Sequence, residues 1–199
     1  MASLATQKPP SPLLSLPLEL QLSIYELALI SPTPLLLNLP CNSSYRSRSA
    51  QETLDAAAWA AGTLHAPSQP PLTRVCHALR RLTLPIFYGE NVFRARYCTR
   101  TEDELAGPVA WLRAMGPANR EMLRWLVFYD RNERHDKWTR DWEKVEEGPV
   151  VGELGGRVET VSDETGCAHL VRFGEGGGRG RMPEAVRVGP GRLRLEGEV

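Results

Sequence analysis

Few residues in this chain have the types and spacing that catalysis requires. Two pairs of adjacent carboxylates, Glu146-Glu147 and Asp163-Glu164, could divide the work of a general acid and a general base. Both pairs lie in polar segments, where no apolar pocket would separate the pKa values of the two carboxyl groups. We therefore interpret them as solvated charges, and we expect no enzymatic activity.

The cysteine and histidine spacings do not predict a nucleophile or a metal centre. Cys76 and His77 are neighbours, but adjacent residues of a helix point about 100° apart. Cys76 also lies on the apolar stripe of a predicted helix, where a buried structural thiol is expected. Cys167 and His169 supply two metal ligands at most. With no CxxC pair in the chain, we expect reduced cysteines, no metal and no cofactor.

Binding to nucleic acid or to a membrane has little support. Lys and Arg together number 24, as do Asp and Glu, so no net charge favours a polyanion. The run GEGGGRGR at 174–181 lacks the Lys-Ser or Lys-Thr and the helix of a phosphate-binding loop, and we interpret it as a linker. No apolar run approaches the roughly 20 residues of a membrane span. We expect a protein of the cytoplasm or nucleus without a signal peptide.

The segment SLPLELQLSIYELAL, residues 15–29, predicts a helix that starts at Pro17 and has two apolar faces. One face consists of Leu20, Ile24, Leu27 and Ala28. The other face consists of Leu18, Leu22, Tyr25 and Leu29. A helix with two apolar faces must bury both of them, so we expect it to pack on its own domain and on a partner. The alternative is a helix that is sandwiched inside one core.

The segment PPLTRVCHALRRLTLPIFYGENVF, residues 70–93, predicts a second amphipathic helix. Its apolar stripe consists of Leu72, Val75, Cys76, Leu79, Leu82 and Ile86. Pro85 should kink or end the regular helix, because it removes a backbone hydrogen bond. Gly89 is expected to close the last turn in a left-handed conformation.

The remaining pattern predicts an α+β fold, with three principal helices on a small sheet of strands near 35–39, 92–97 and 123–129. Residues 1–11 are predicted to be a flexible lead and residues 12–130 a domain. A surface insertion at 40–70, packed lightly on the domain, carries one helix in which Leu54, Ala57, Ala58 and Ala61 share a face. Residues 131–199 hold a charged run and most of the 17 glycines, and we expect a loosely structured tail that could add strands to the sheet.

Three segments in this order resemble the F-box-like domains of filamentous fungi. LPLELQLSIYELAL (16–29) resembles the first helix of F-box proteins, and LTRVCHALRRLTLPIFYGENVF (72–93) resembles the second helix of the fungal domains. WLRAMGPANREMLRWLVF (111–128) is similar to the helix and strand that follow there. The resemblance covers residues 14–130. It departs from the ordinary F-box at residues 31–70, which separate the two helices.

The resemblance implies an adaptor that binds the Skp-type subunit of a cullin-based ubiquitin ligase and recruits an unidentified substrate protein. The partner-binding residues that it implies are Leu16, Pro17, Leu20, Ile24, Val75 and Cys76. The alternative is a self-contained structural domain of unknown role that binds no ligase adaptor. Exposure separates the two hypotheses, because a docking helix must leave its contact residues uncovered by its own domain.

Overall fold

The computed structural model describes residues 11–39, 50–97, 105–130, 148–163 and 166–174. The helices in these ranges are α1 (Leu18–Leu29), α2 (Ala50–Ala60), α3 (His77–Glu90), α4 (Ala106–Met115) and α5 (Pro117–Arg120). The strands are β1 (Leu35–Leu36), β2 (Val92–Tyr97), β3 (Trp125–Asp130), β4 (Arg157–Asp163) and β5 (Gly166–Arg172). Single 3-10 turns at Pro12–Ser15 and Pro71–Arg74 precede α1 and α3, and a π-helical turn at Pro149–Glu153 precedes β4.

The five strands form one mixed sheet in the order β1-β2-β3-β5-β4. The first three strands are parallel, because a helix or a helix-containing connection separates each from the next. The last two strands pair antiparallel with each other, and β5 pairs antiparallel with β3. Helices and strands therefore share one fold, and the predicted α+β class is confirmed.

One face of the sheet carries the main core, which we call the sheet core. Phe93 of β2, Leu126 of β3 and Val171 of β5 lie side by side in register, and each is fully buried. Helices α3 and α4 cover them with Phe87 and Leu112. Alternation along each strand aims these side chains at the same face, so the period-2 pattern of the sequence determines this layer.

The C-terminal part of the sheet comes from the segment predicted to be a tail. Residues 131–199 were expected to be loosely structured but able to add strands to the sheet, and β4 and β5, which lie within them, do complete the sheet. Val150, Val171 and Phe173 are buried in the sheet core. Because β5 pairs directly with β3, the described residues after 147 belong to the same domain as the residues before 130.

Helix α3 differs from its prediction at both ends. It begins at His77 rather than in the segment near Leu72, which forms the separate 3-10 turn. The helix continues through Pro85 to Glu90. Pro85 lies on the exposed side of the helix, so the carbonyl group that it leaves without a hydrogen bond is not buried in the core. Gly89 is helical and not left-handed, so the predicted glycine cap is wrong.

The insertion is attached to the domain more firmly than its composition indicates. Trp111 of α4 donates its indole N–H to the Pro67 carbonyl at 2.7 Å, which fixes the C-terminal end of the insertion. Gly62 follows α2 with φ +71°, the left-handed conformation expected of a glycine there. On the face that Leu54 shares with Ala57 and Ala58, Leu54 is 64% exposed, so α2 itself packs lightly.

Candidate docking surface

Helix α1 buries one face and leaves the opposite face exposed. Tyr25 and Leu29 on the inner face are buried. On the outer face Leu20 is 53%, Ile24 40% and Leu27 87% exposed. Successive residues turn by about 100°, so these three side chains lie along one strip, which we call the docking face. A strip of three exposed large apolar side chains on one helix is typical of a binding surface.

The inner face of α1 packs on α3 in a small separate cluster, the helix-pair cluster. Its buried members are Tyr25, Leu29 and Leu79. Half-buried apolar side chains surround these three, namely Leu13, Leu22, Leu72 and Ile86. The domain therefore covers Tyr25 and Leu29 on the inner face of α1, while the docking face receives no such cover from the described residues.

The start of α1 is fixed by a buried glutamine. Pro17 has φ −53° and ψ 144°, so it immediately precedes the helix, and its side chain is exposed. Leu16 is only half-buried. Gln21 donates its side-chain N–H to the Leu16 carbonyl at 2.8 Å and accepts a bond from the Tyr25 hydroxyl at 3.0 Å. The bond from Gln21 gives the Leu16 carbonyl a partner and holds the Leu16-Pro17 segment against the first turn.

The end of α1 is fixed by a buried asparagine. Asn91 follows α3 and is 1% exposed. Its side-chain N–H groups donate to the Leu29 carbonyl at 2.8 Å and to the Phe87 carbonyl at 2.9 Å. Its carbonyl oxygen accepts from the Ser31 backbone N–H at 2.7 Å. One side chain thus joins the C-terminal ends of α1 and α3.

The second group of expected contact residues occupies a different structure from the one predicted. Val75 is 66% exposed, and Cys76 is also exposed, with extended φ −156° and ψ 167°. Pro70 precedes a separate turn, in which the hydroxyl and the backbone N–H of Thr73 both donate to the Pro70 carbonyl. Helix α3 therefore starts only after Cys76. The expectation of a buried Cys76 on a core stripe is therefore wrong. Both residues are available to a partner.

The structure adds to the contact residues implied by the resemblance. Leu27 is the most exposed of the large apolar side chains described on α1, yet the resemblance did not imply it. The helical period had placed it on the same stripe as Leu20 and Ile24, so the signal was present in the sequence. Leu14 and Leu18 near the start of α1 are also exposed, at 43% and 53%, but Leu18 lies on the same side of the helix as Tyr25 and outside the docking face.

The charges around the docking face lie on its flank. Glu19 and Glu26 are exposed on α1, separated from the strip by the exposed Ser23. The outer face of α1 therefore has an apolar strip with an acidic border, and the strip itself carries no charged group that a partner would have to desolvate.

The described residues provide no group of three His, Cys, Asp or Glu side chains that could hold a metal ion. His169 is buried in β5, and this burial lowers its pKa to about 4. His77 and Cys76 are both exposed. Three of the candidate carboxylates and most of the glycine-rich run lie outside the described residues: Glu146, Glu147, Glu164 and residues 175–181.

None of the helices in the described ranges is both long enough and apolar enough to cross a membrane. No protein-family model matches the chain, and neither a curated protein nor a solved structure matches it.

Proposed function

We propose that this protein is a non-catalytic adaptor of the F-box-like type. Its docking face binds the Skp-type subunit of a cullin-based ubiquitin ligase, and another part of the chain recruits a substrate protein. The proposal places the protein in the cytoplasm or nucleus and involves neither nucleic acid nor membrane.

The observation that supports the proposal is the exposure of the docking face. Tyr25 and Leu29 already give α1 an inner face that is packed on its own domain. The outer face is not needed for that packing, and yet it carries Leu20, Ile24 and Leu27. A helix selected only to complete this fold would gain solubility from polar residues at those positions.

The physical contribution of such a face is sufficient for specific binding. Full burial of an exposed leucine or isoleucine side chain contributes about 1.5–3 kcal/mol. A few such side chains at the centre of an interface usually dominate its affinity. Three apolar side chains on a helix that is held at both ends, by Gln21 and Asn91, also lose little conformational freedom on binding.

The test is adaptor capture combined with thermal melting of the same variants. Ile24→Asp would place a carboxylate where the partner excludes water, and the purified Skp-type subunit should no longer be retained. Ile24 is 40% exposed, so a fall in melting temperature of a few degrees is expected as well. Ser23→Asp introduces the same carboxylate on the polar strip of α1 and should leave both capture and melting unchanged.

The alternative, a self-contained domain with no ligase adaptor, predicts a different result. In that case the wild-type chain would not retain the Skp-type subunit at all. If Ile24→Asp prevents folding, Leu20→Asp at a more exposed position gives the decisive measurement. Retained capture by a folded Leu20→Asp variant would reject the docking face.

A further inference from the structure

Asn91 makes a set of contacts that ordinary helix capping does not require. All of its side-chain polar groups are used: its amide nitrogen donates to two carbonyl groups, and its oxygen accepts from Ser31. One of these bonds, to Phe87, caps its own helix α3. The other two, to Leu29 and Ser31, reach residues that are about 60 positions earlier in the chain.

These contacts lie where two separate clusters meet. Leu79 of α3 belongs to the helix-pair cluster, whereas Phe87 of the same helix belongs to the sheet core. Asn91 follows this helix directly and precedes Phe93, which is buried in the sheet core. The Asn91 side chain therefore connects the C-terminal end of α1, the docking helix, to the junction between α3 and strand β2.

We propose that Asn91 is the positioning residue for the docking helix. Its two amide donors and its oxygen fix the last turn of α1 relative to α3 and the sheet, and so fix the direction in which the docking face points. An apolar side chain at this position would leave the Leu29 carbonyl and the Ser31 N–H without these bonds in a buried setting. The polar connection between the C-terminal ends of α1 and α3 would then be lost.

The consequence for binding rests on the proposed docking function, but the positioning role itself can be measured on the free protein. Amide hydrogen exchange reports local opening residue by residue. In Asn91→Ala the amides of Leu29 and Ile30, which report the last turn of α1, should exchange about ten-fold faster or more, while the amides of β3 change by less than about three-fold. This difference separates a local release of α1 from a general loss of stability.

Thr83→Val is the matched control. Thr83 is as buried as Asn91, and its hydroxyl donates to the Leu79 carbonyl at 2.7 Å. That bond lies within α3 and joins no second element. Thr83→Val should therefore leave the ratio of α1 to β3 exchange rates unchanged, even where it lowers the overall stability.

The second readout is the affinity for the purified Skp-type subunit. Asn91→Ala should weaken binding about ten-fold or more, and Thr83→Val should not. Asn91→Asp keeps the oxygen that accepts from Ser31 but loses both donors, so it should fail to restore either readout. If Asn91→Ala does not fold, Asn91→Ser is measured by the same criteria.

Several results would overturn the inference. Equal acceleration of α1 and β3 amides would show a general stability effect, and no acceleration would show that the bonds are dispensable. Accelerated α1 exchange with unchanged adaptor affinity would show that the orientation of α1 does not matter for binding. If the wild-type chain does not bind the adaptor, the proposed function fails, while the exchange ratio still decides whether Asn91 holds α1.

Discussion

The hydroxyl of Tyr25 donates a hydrogen bond to the side-chain oxygen of Gln21, one turn earlier in α1, at 3.0 Å. Both residues are on the buried face of the helix. The amide nitrogen of the same Gln21 donates to the Leu16 carbonyl. A buried hydroxyl needs a hydrogen-bond partner, and Gln21 supplies it for Tyr25. The Gln21 side chain therefore links the burial of Tyr25 to the position of the Leu16-Pro17 segment.

Gln21→Leu should destabilise the protein by about 1–3 kcal/mol, because the Tyr25 hydroxyl and the Leu16 carbonyl lose a buried partner. Urea unfolding followed by circular dichroism measures the change. Ser23→Ala is the control: its hydroxyl also bonds to a backbone carbonyl in α1, but it is exposed. A change within about 0.5 kcal/mol is expected there. Equal effects in the two variants would contradict the role of Gln21.

Leu79→Ala should destabilise the protein by about 2–5 kcal/mol, because Leu79 is 4% exposed at the centre of the helix-pair cluster. Leu82→Ala removes the same side chain at a 37% exposed position on the same helix and should cost clearly less. Thermal melting of the two variants side by side tests the order. A smaller effect at Leu79 than at Leu82 would mean that α1 does not pack on this face of α3.

Phe173→Ala tests whether the residues after 147 belong to the domain. Phe173 is 3% exposed in the sheet core, and the Arg120 guanidinium lies 5.9 Å from the centre of its ring. Truncation should cost about 3–5 kcal/mol. Glu159→Ala on the edge strand β4 removes only an exposed ion pair with Arg172 and should cost less than about 1 kcal/mol. If Phe173→Ala costs as little stability as Glu159→Ala, the residues after 147 do not contribute to the core of the domain.

The elements that were predictable from the sequence are those in which a local pattern and the tertiary packing agree. Strand β2 spans the residues expected for it, since its alternation matches a sheet with one face in the core. The two faces of α1 were also recoverable from the helical period. The sequence alone could not show which of the two faces is buried, because only the position of α3 determines that Tyr25 is buried and Leu20 exposed.

The errors arise where a non-local contact replaces a local rule. Gly89 is a suitable C-terminal cap by composition, but the side chain of Asn91 already bonds to the Phe87 carbonyl and ends the helix instead. Cys76 fits a helical stripe, but the proline-led turn before it delays the start of α3. Strands from the segment after 130 were expected only in general terms, and the bounds of β4 and β5 were not predicted, because glycine-rich surroundings conceal strands whose partners lie far away in the sequence.

The stability of the protein should decrease in mild acid because of His169. Burial lowers its pKa to about 4, from the ordinary value of 6.5, since the charged imidazolium would lose its hydration. The unfolded chain takes up a proton as the pH falls below about 6.5, whereas the folded chain does so only near pH 4. The loss of folding stability caused by His169 is therefore absent above about pH 7 and grows to roughly 2 kcal/mol at pH 5.

Urea unfolding of the wild type and of His169→Gln at several pH values measures this penalty as a difference, which removes the contribution of other titrating groups. The stability of the wild type relative to the variant should fall between pH 6.5 and pH 4 and then level off. Parallel pH profiles for the two proteins would show that His169 is accessible to protons in the folded state.

Leu27→Ala tests how far the docking face extends. Leu27 is 87% exposed, so its truncation removes almost no packing, and alanine is a favourable helix residue. The melting temperature should stay constant while affinity for the Skp-type subunit falls about ten-fold, because the most exposed apolar contact of the docking face is lost. Leu54→Ala removes a comparably exposed leucine from α2, outside the docking face, and should change neither quantity. If Leu27→Ala leaves the affinity unchanged while Ile24→Asp abolishes binding, the docking face does not include Leu27 and ends one turn earlier. Loss of affinity in Leu54→Ala as well would instead extend the contact to the insertion.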